Sequence, residues 1–148
     1  MSGNKIRFSM ITFLLVSFSL KAEELIRLDN FGTSDSKNAG DLVHLYMTEN
    51  CSVCKTQIEI LRNCIQAERV SAYMGGKSED KLRTYVRRKK IPFKTYLLNE
   101  TAKKKLSFNG KSPALAFSYK GNFLTLEGLH DCDKIISTIK SDNLGLHK

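Results

Sequence analysis

The chain has 148 residues, 41% of them hydrophobic and 26% charged, with 24 basic residues against 15 acidic ones. That length and balance support a single hydrophobic core, and they exclude a disordered chain, a multi-pass membrane protein and two independent catalytic domains. Four cysteines, Cys51, Cys54, Cys64 and Cys132, allow three complete pairings that spacing alone does not rank.

At the N-terminus, Lys5 and Arg7 precede an uncharged apolar run from Phe8 to Leu20 that ends at Lys21-Ala22. The run is too short to cross a bilayer as a helix, and the order basic, apolar, small is that of a secretory signal peptide. A buried N-terminal helix or an uncleaved anchor is the alternative. Cleavage is expected after Ala22, with Ser19 as the second position. Residues 1–22 are then a signal peptide and 23–148 the domain, with no stable membrane anchor. Loss of Lys5, Arg7 and Lys21 leaves 21 basic residues against 15 acidic, a net charge of +6. The expected location is periplasmic or secreted, where disulfides persist.

Leu25, Ile26, Leu28 and Phe31 suggest a short strand over Glu24–Phe31, and the small, polar stretch Gly32–Gly40 a loop. Leu42–Met47 is a nearly continuous apolar run rich in strand formers, as expected of a central strand covered on both faces. It leads through Thr48-Glu49-Asn50 into Cys51-Ser52-Val53-Cys54, after which Ile58, Leu61 and Ile65 recur at helical spacing. The pattern predicts a helix from about Val53 to Glu68. Val70–Met74 is a second strand, and Ser78 caps a helix carrying Leu82, Tyr85 and Val86 that Pro92 ends. A third strand spans Pro92–Leu98, followed by a helical turn over Asn99–Lys105 and a bend at Asn109-Gly110. Ala114–Tyr119 and Phe123–Glu127, around Lys120-Gly121-Asn122, form a β-hairpin signal. Asp131 then precedes a helix with Ile135, Ile136 and Ile139, and the tail after Ser141 is expected to fray. This order suggests an α/β domain with a mixed sheet and helices on both faces.

A Cys-x-x-Cys at a strand-to-helix junction has a physical logic. Unpaired N–H groups and partial positive charge at the helix start stabilise a thiolate, and the second cysteine, one turn further in, can attack a mixed disulfide formed by the first. Cys51 is thus the candidate attacking thiol and Cys54 the resolving one. Half of a zinc site is the competing reading, but there is no second Cys-x-x-Cys, and His44, His130 and His147 show no paired ligand spacing.

The segments YMTENCSVCKTQIEIL, Ser112-Pro113-Ala114, and Lys120-Gly121-Asn122 followed by Gly128 resemble the thioredoxin superfamily, and its exported members in particular, over Leu42 to Ile139. The segment from Val70 to Leu106 is similar to the strand and helix inserted in TlpA-type proteins, and Ser-Pro-Ala to the cis-proline loops of DsbA- and DsbC-type proteins. The resemblance implies a thioredoxin-like three-layer sandwich with a C-terminal hairpin and helix. It also implies thiol–disulfide oxidoreductase activity at Cys51 and Cys54, and a cis Ser112–Pro113 bond beside them whose backbone binds substrate. The implied partners are cysteine-containing exported proteins and a redox partner protein, with no organic cofactor.

The chain departs from that pattern at three positions. Asn50 stands where a Trp is usual, Leu45 where thioredoxins have a buried Asp, and Glu59 where a proline often kinks the helix. The usual proton acceptor for Cys54 is therefore absent, leaving Glu49 and Glu59 as candidates. In the resembled fold Cys64 falls well below the start of its helix and Cys132 near the top of its own, which predicts two separate thiols. His130 follows the hairpin, so a Cu(I) ion held by Cys51, Cys54 and His130 is the alternative function, since soft thiolates suit that metal. His44 reads as a packed core residue. The runs Arg87–Lys90 and Lys103–Lys105 read as solvated faces and helix ends rather than as a nucleic-acid surface.

Overall fold

A computed structural model of the chain describes residues 25–29, 41–119 and 122–143. The expected signal peptide at 1–22, the expected loop at 32–40 and Lys120-Gly121 of the expected hairpin turn lie outside them. In chain order the elements are β1 (Val43–Thr48), α1 (Cys54–Cys64), a 3-10 turn (Ala67–Arg69), β2 (Val70–Gly75), α2 (Glu79–Lys89), β3 (Lys94–Leu97), α3 (Glu100–Lys105), β4 (Ala114–Tyr119), β5 (Asn122–Glu127) and α4 (Cys132–Asn143). The strands form one sheet in the order β3-β2-β1-β4-β5. β2 and β3 run parallel to their neighbours, β4 and β5 antiparallel.

The run Leu42–Met47 becomes the central strand because both of its faces are apolar. Val43, Leu45 and Met47 face a core built with Leu61 of α1, Leu82 and Val86 of α2 and Ile135 of α4. Tyr46 faces the opposite core, with Tyr73, Ala102, Leu106 and Phe108. Side chains alternate across a strand, so a strand with no polar face is one covered twice. Of the segment expected as a strand at 24–31, the described residues 25–29 form a single bridge: Arg27 bridges Tyr96, with Leu28 N–H donating to the Thr95 carbonyl at 2.8 Å and Leu97 N–H to that of Ile26 at 2.8 Å.

Helix starts follow the capping residues. Ser78 accepts from Lys81 N–H at 3.4 Å, Asn99 from Ala102 N–H at 2.8 Å and Asp131 from Lys134 N–H at 2.8 Å. The ends differ from expectation. α1 stops at Cys64, not Glu68, where Ile65 turns extended so that the chain can enter β2. α2 stops at Lys89, three residues before Pro92, because Lys90 adopts the left-handed conformation and closes the helix itself.

The prediction that Cys64 and Cys132 are separate thiols is corrected: they form a disulfide, with Cα atoms 5.7 Å apart. The helix α4 does not begin level with the start of α1. Residues Gly128–Asp131 first run down alongside α1, held by the Gln57 carboxamide, which donates to the His130 carbonyl at 3.1 Å and accepts its N–H at 2.8 Å. Gln57 to Cys64 is about 10 Å of helical rise. From His130 the chain reaches Cys132 in two residues, about 7 Å of extended chain at most, and the side-chain reach of Gln57 and of the cysteine pair spans the remainder.

Candidate active site

Three segments meet at the C-terminal end of β1. The strand leads into Thr48, whose carbonyl accepts the Cys51 N–H at 3.3 Å. The Thr48 hydroxyl lies 3.1 Å from that of Ser112, so the same residue ties the cysteine segment to the loop before β4. The Ser112–Pro113 bond is cis, as the resemblance implies. Register places this loop there: Ala114 pairs with Tyr46, so Pro113 and Ser112 continue past the end of β4 beside Met47 and Thr48. The Gly128 N–H donates to the Pro113 carbonyl at 2.8 Å. Gly128 has φ +86°, which only glycine adopts without steric cost, so this contact depends on the residue type.

Cys51 and Cys54 are joined by a disulfide, with Cα atoms 5.4 Å apart. Their surroundings are unequal. Cys51 is half-buried in the turn, and Cys54, the first residue of α1, is fully buried in the main core. Ser52 and Val53 between them are exposed.

The start of α1 is electrostatically unlike the other long helix starts. Ser78 with Glu79 and Asp80 supplies α2 with a cap and acidic charge, and Asp131 with Asp133 does the same for α4. At α1 the N-cap is Val53, no side chain caps the free N–H groups, and the first turn holds no acid. The positive end of the helix is therefore left uncompensated beside the two sulfurs, the arrangement that favours a thiolate when the bond opens.

Glu49 and Glu59 line the same cleft as Cys51, and Cys54 does not reach it. Both carboxylates thus stand on the side of the half-buried sulfur. Leu45, where the resemblance puts a buried acid, is fully buried in the same core as Cys54.

His130 does not join the cysteines. Its Nε2–H donates to the Glu127 carbonyl at 2.9 Å. Among the described residues no group of three or more His, Cys, Asp or Glu could hold a metal ion, so the proposed Cu(I) set is not assembled. His44 is packed as expected: its ring lies 5.3 Å from that of Phe123 and 5.8 Å from that of Tyr73. Burial pushes the Tyr73 hydroxyl up and His44 down in pKa, and the Tyr73 hydroxyl and His44 Nδ1 are hydrogen-bonded at 3.3 Å.

Gln57 is the residue that reasoning from sequence missed. It is fully buried and fixes the loop carrying His130 one turn below Cys54. The signal was present: Cys54, Gln57 and Leu61 form the buried stripe of α1, and an amide on such a stripe has to find partners.

The chain matches no protein-family model and no curated protein. Solved structures do match. The exposed lipoprotein thioredoxin of Streptococcus pneumoniae superposes with TM-score 0.60 at 19% identity, over 80% of this chain and 98% of that one. This is a thioredoxin-like fold. A thioredoxin-related protein from Neisseria meningitidis serogroup B matches with TM-score 0.57 at 10% identity, over 82% of this chain and 99% of its own. A thiol:disulfide interchange protein of the thioredoxin family from Chlorobium tepidum matches with TM-score 0.57 at 11% identity, over 79% and 90%.

Proposed function

We propose that the protein is an exported thiol–disulfide oxidoreductase that exchanges disulfides with cysteine-containing proteins through Cys51 and Cys54. The observation that carries this reading is the unequal pair at an uncapped helix start: one sulfur half-exposed, its partner fully buried, with the cis Ser112–Pro113 loop tied to the same turn through Thr48.

In the oxidised form, a substrate thiolate attacks Cys51 Sγ. The Cys51–Cys54 bond breaks and Cys54 leaves as a thiolate, which the helix start stabilises. A second substrate thiolate then attacks the substrate sulfur of the mixed disulfide and releases Cys51. The substrate dithiol has lost two electrons and two protons, and the pair has gained two electrons. The reverse sequence starts at the Cys51 thiolate and reduces a substrate disulfide, with Cys54 resolving the intermediate. The potential of the partner sets the direction. In this reading the backbone of Ser112 pairs with an extended substrate segment, a role supported by its tie to the cysteine turn through Thr48, and Pro113, lacking an N–H, turns the chain tightly beside it.

Export is supported by the basic, apolar, small order of residues 1–22 and by the use of all four cysteines in disulfides. Among the described residues no helix is long and apolar enough to cross a membrane.

Insulin reduction and dithiol-peptide oxidation, followed for the wild type and Cys51→Ser, test the reading. Cys51→Ser is expected to lose at least about a hundredfold in rate, because a hydroxyl cannot replace the thiolate at neutral pH. Cys54→Ser is expected to accumulate a mixed disulfide at Cys51, visible by mass spectrometry. Equal rates for wild type and Cys51→Ser overturn the assignment.

A further inference from the structure

The run Arg87-Arg88-Lys89-Lys90 reads from sequence as a solvated helix end, yet the fold turns part of it toward the cysteine pair. A cleft of about 640 Å³ opens between the start of α1 and the end of α2, with Cys51 at one side and Pro92 at the other. Its walls carry five cations, Lys55, Arg62, Arg88, Lys89 and Lys90, against two carboxylates, Glu49 and Glu59. Little of that charge is neutralised internally. Arg62 and Glu59 stand 3.9 Å apart with both side chains more than half exposed, and Lys89 lies 5.9 Å from the centre of the Tyr85 ring. Lys55, Arg88 and Lys90 make no ion pair among the described residues.

The backbone supplies a second, independent observation. α2 ends with Lys90 N–H donating to the Arg87 carbonyl at 3.2 Å and Ile91 N–H to the Val86 carbonyl at 3.3 Å, and Ile91 and Val86 are both buried in the core. This is the Schellman arrangement, whose left-handed residue is usually glycine. Here it is Lys90, at φ 49°. A side chain stands where its absence would relieve the backbone, and that side chain is a cation on the cleft wall.

Resting on the reading of Cys51–Cys54 as an exchanging pair, we propose that this cleft is a substrate subsite for an acidic polypeptide segment flanking the cysteine that Cys51 engages. The occupant is a polypeptide because the cations are spread along two helices. Lys55 and Arg62 alone are separated by about 10 Å of helical rise, and alternate residues of an extended chain, about 7 Å apart, deliver carboxylates at such intervals. A single small acidic thiol does not reach both. The walls are open to solvent, so the attraction acts on encounter and is screened by salt.

The test uses two synthetic dithiol peptides of equal length, one with Asp and Glu around its cysteines and one with Lys. Each is given in excess to the oxidised full-length protein while opening of the Cys51–Cys54 bond is followed. At about 0.01 M ionic strength, where the screening length is about 30 Å, the acidic peptide is expected to react at least about tenfold faster. Near 1 M salt the ratio should approach one. The double variant Arg88→Gln, Lys90→Gly, which relieves rather than strains the end of α2, should lower the ratio at least threefold, whatever happens to either absolute rate. Equal rates for the two peptides on the wild type overturn the subsite and leave the exchange reading standing. A ratio unchanged in the double variant overturns its placement in this cleft. If neither peptide opens the bond, the reading on which the subsite rests fails instead.

Discussion

Val53 stands at the N-cap of α1 where serine, aspartate or asparagine would ordinarily stabilise the helix by about 1 kcal/mol. The omission makes sense only in terms of the sulfurs on either side of it, since any capping oxygen would compete with a thiolate for the same N–H groups. Gln57 shows the opposite economy, a fully buried amide with both ends satisfied by the His130 backbone. His44 adds a pH-dependent element on the far face of the sheet. Burial holds its pKa below 6.5, Lys105 and Lys94 act in the same direction, and Asp41 opposes them. The unfolded chain therefore binds a proton at this site before the folded one does. Its contribution to stability is complete above pH 6.5 and is lost as pH falls below that value. Denaturant unfolding should show stability declining below pH 6.5. His44→Gln should make that slope shallower, by at most about 1.4 kcal/mol per pH unit, the value for one proton. An identical slope in the variant would remove His44 as its source.

Between elements, the contact that matters most for the site is α1 against α4. The Cys64–Cys132 disulfide closes a sequence separation of 68 residues and joins the end of α1 to the start of α4, while Gln57 fastens the loop between β5 and α4 higher up the same helix. The two links act at different heights on one helix, which keeps α1 and the cysteine turn at its start in fixed orientation. A loop of that length, by closure entropy, stabilises the fold by about 4 kcal/mol. The double variant Cys64→Ala, Cys132→Ala is thus expected to unfold at a lower denaturant midpoint by that order of free energy, and to keep its Cys51–Cys54 exchange. A loss below about 1 kcal/mol would mean that packing alone holds the helices. At the end of α2 the trade runs the other way, because a left-handed lysine costs about 1 kcal/mol relative to glycine.

At the scale of the molecule, what could be read from sequence was what local pattern controls. The unbroken apolar run at Leu42–Met47 located the central strand, and Ser78 and Asp131 marked two helix starts by their capping oxygens. The strand-to-helix step at Cys51 and the cis Ser112–Pro113 bond were likewise legible, the latter through resemblance. Three features were not, because distant residues decide them. The Cys64–Cys132 pair depends on how far residues 128–131 descend, which is set by Gln57 some seventy positions earlier. The early end of α2 depends on Lys90 accepting a conformation that its side chain disfavours. The meeting of Arg88 and Lys90 with Cys51 depends on α2 crossing to the face that carries α1. What the fold does with these pieces is to hold one disulfide inside the framework and present the other at a charged cleft.

That division is open to one direct measurement: equilibrating the protein in glutathione buffers of graded potential, trapping thiols and assigning each disulfide by mass spectrometry. The account predicts that Cys51–Cys54 titrates reversibly between about −270 and −120 mV, the range of dedicated exchange proteins, while Cys64–Cys132 stays oxidised throughout. A Cys51–Cys54 bond that resists reduction below about −300 mV, as framework disulfides do, would contradict it.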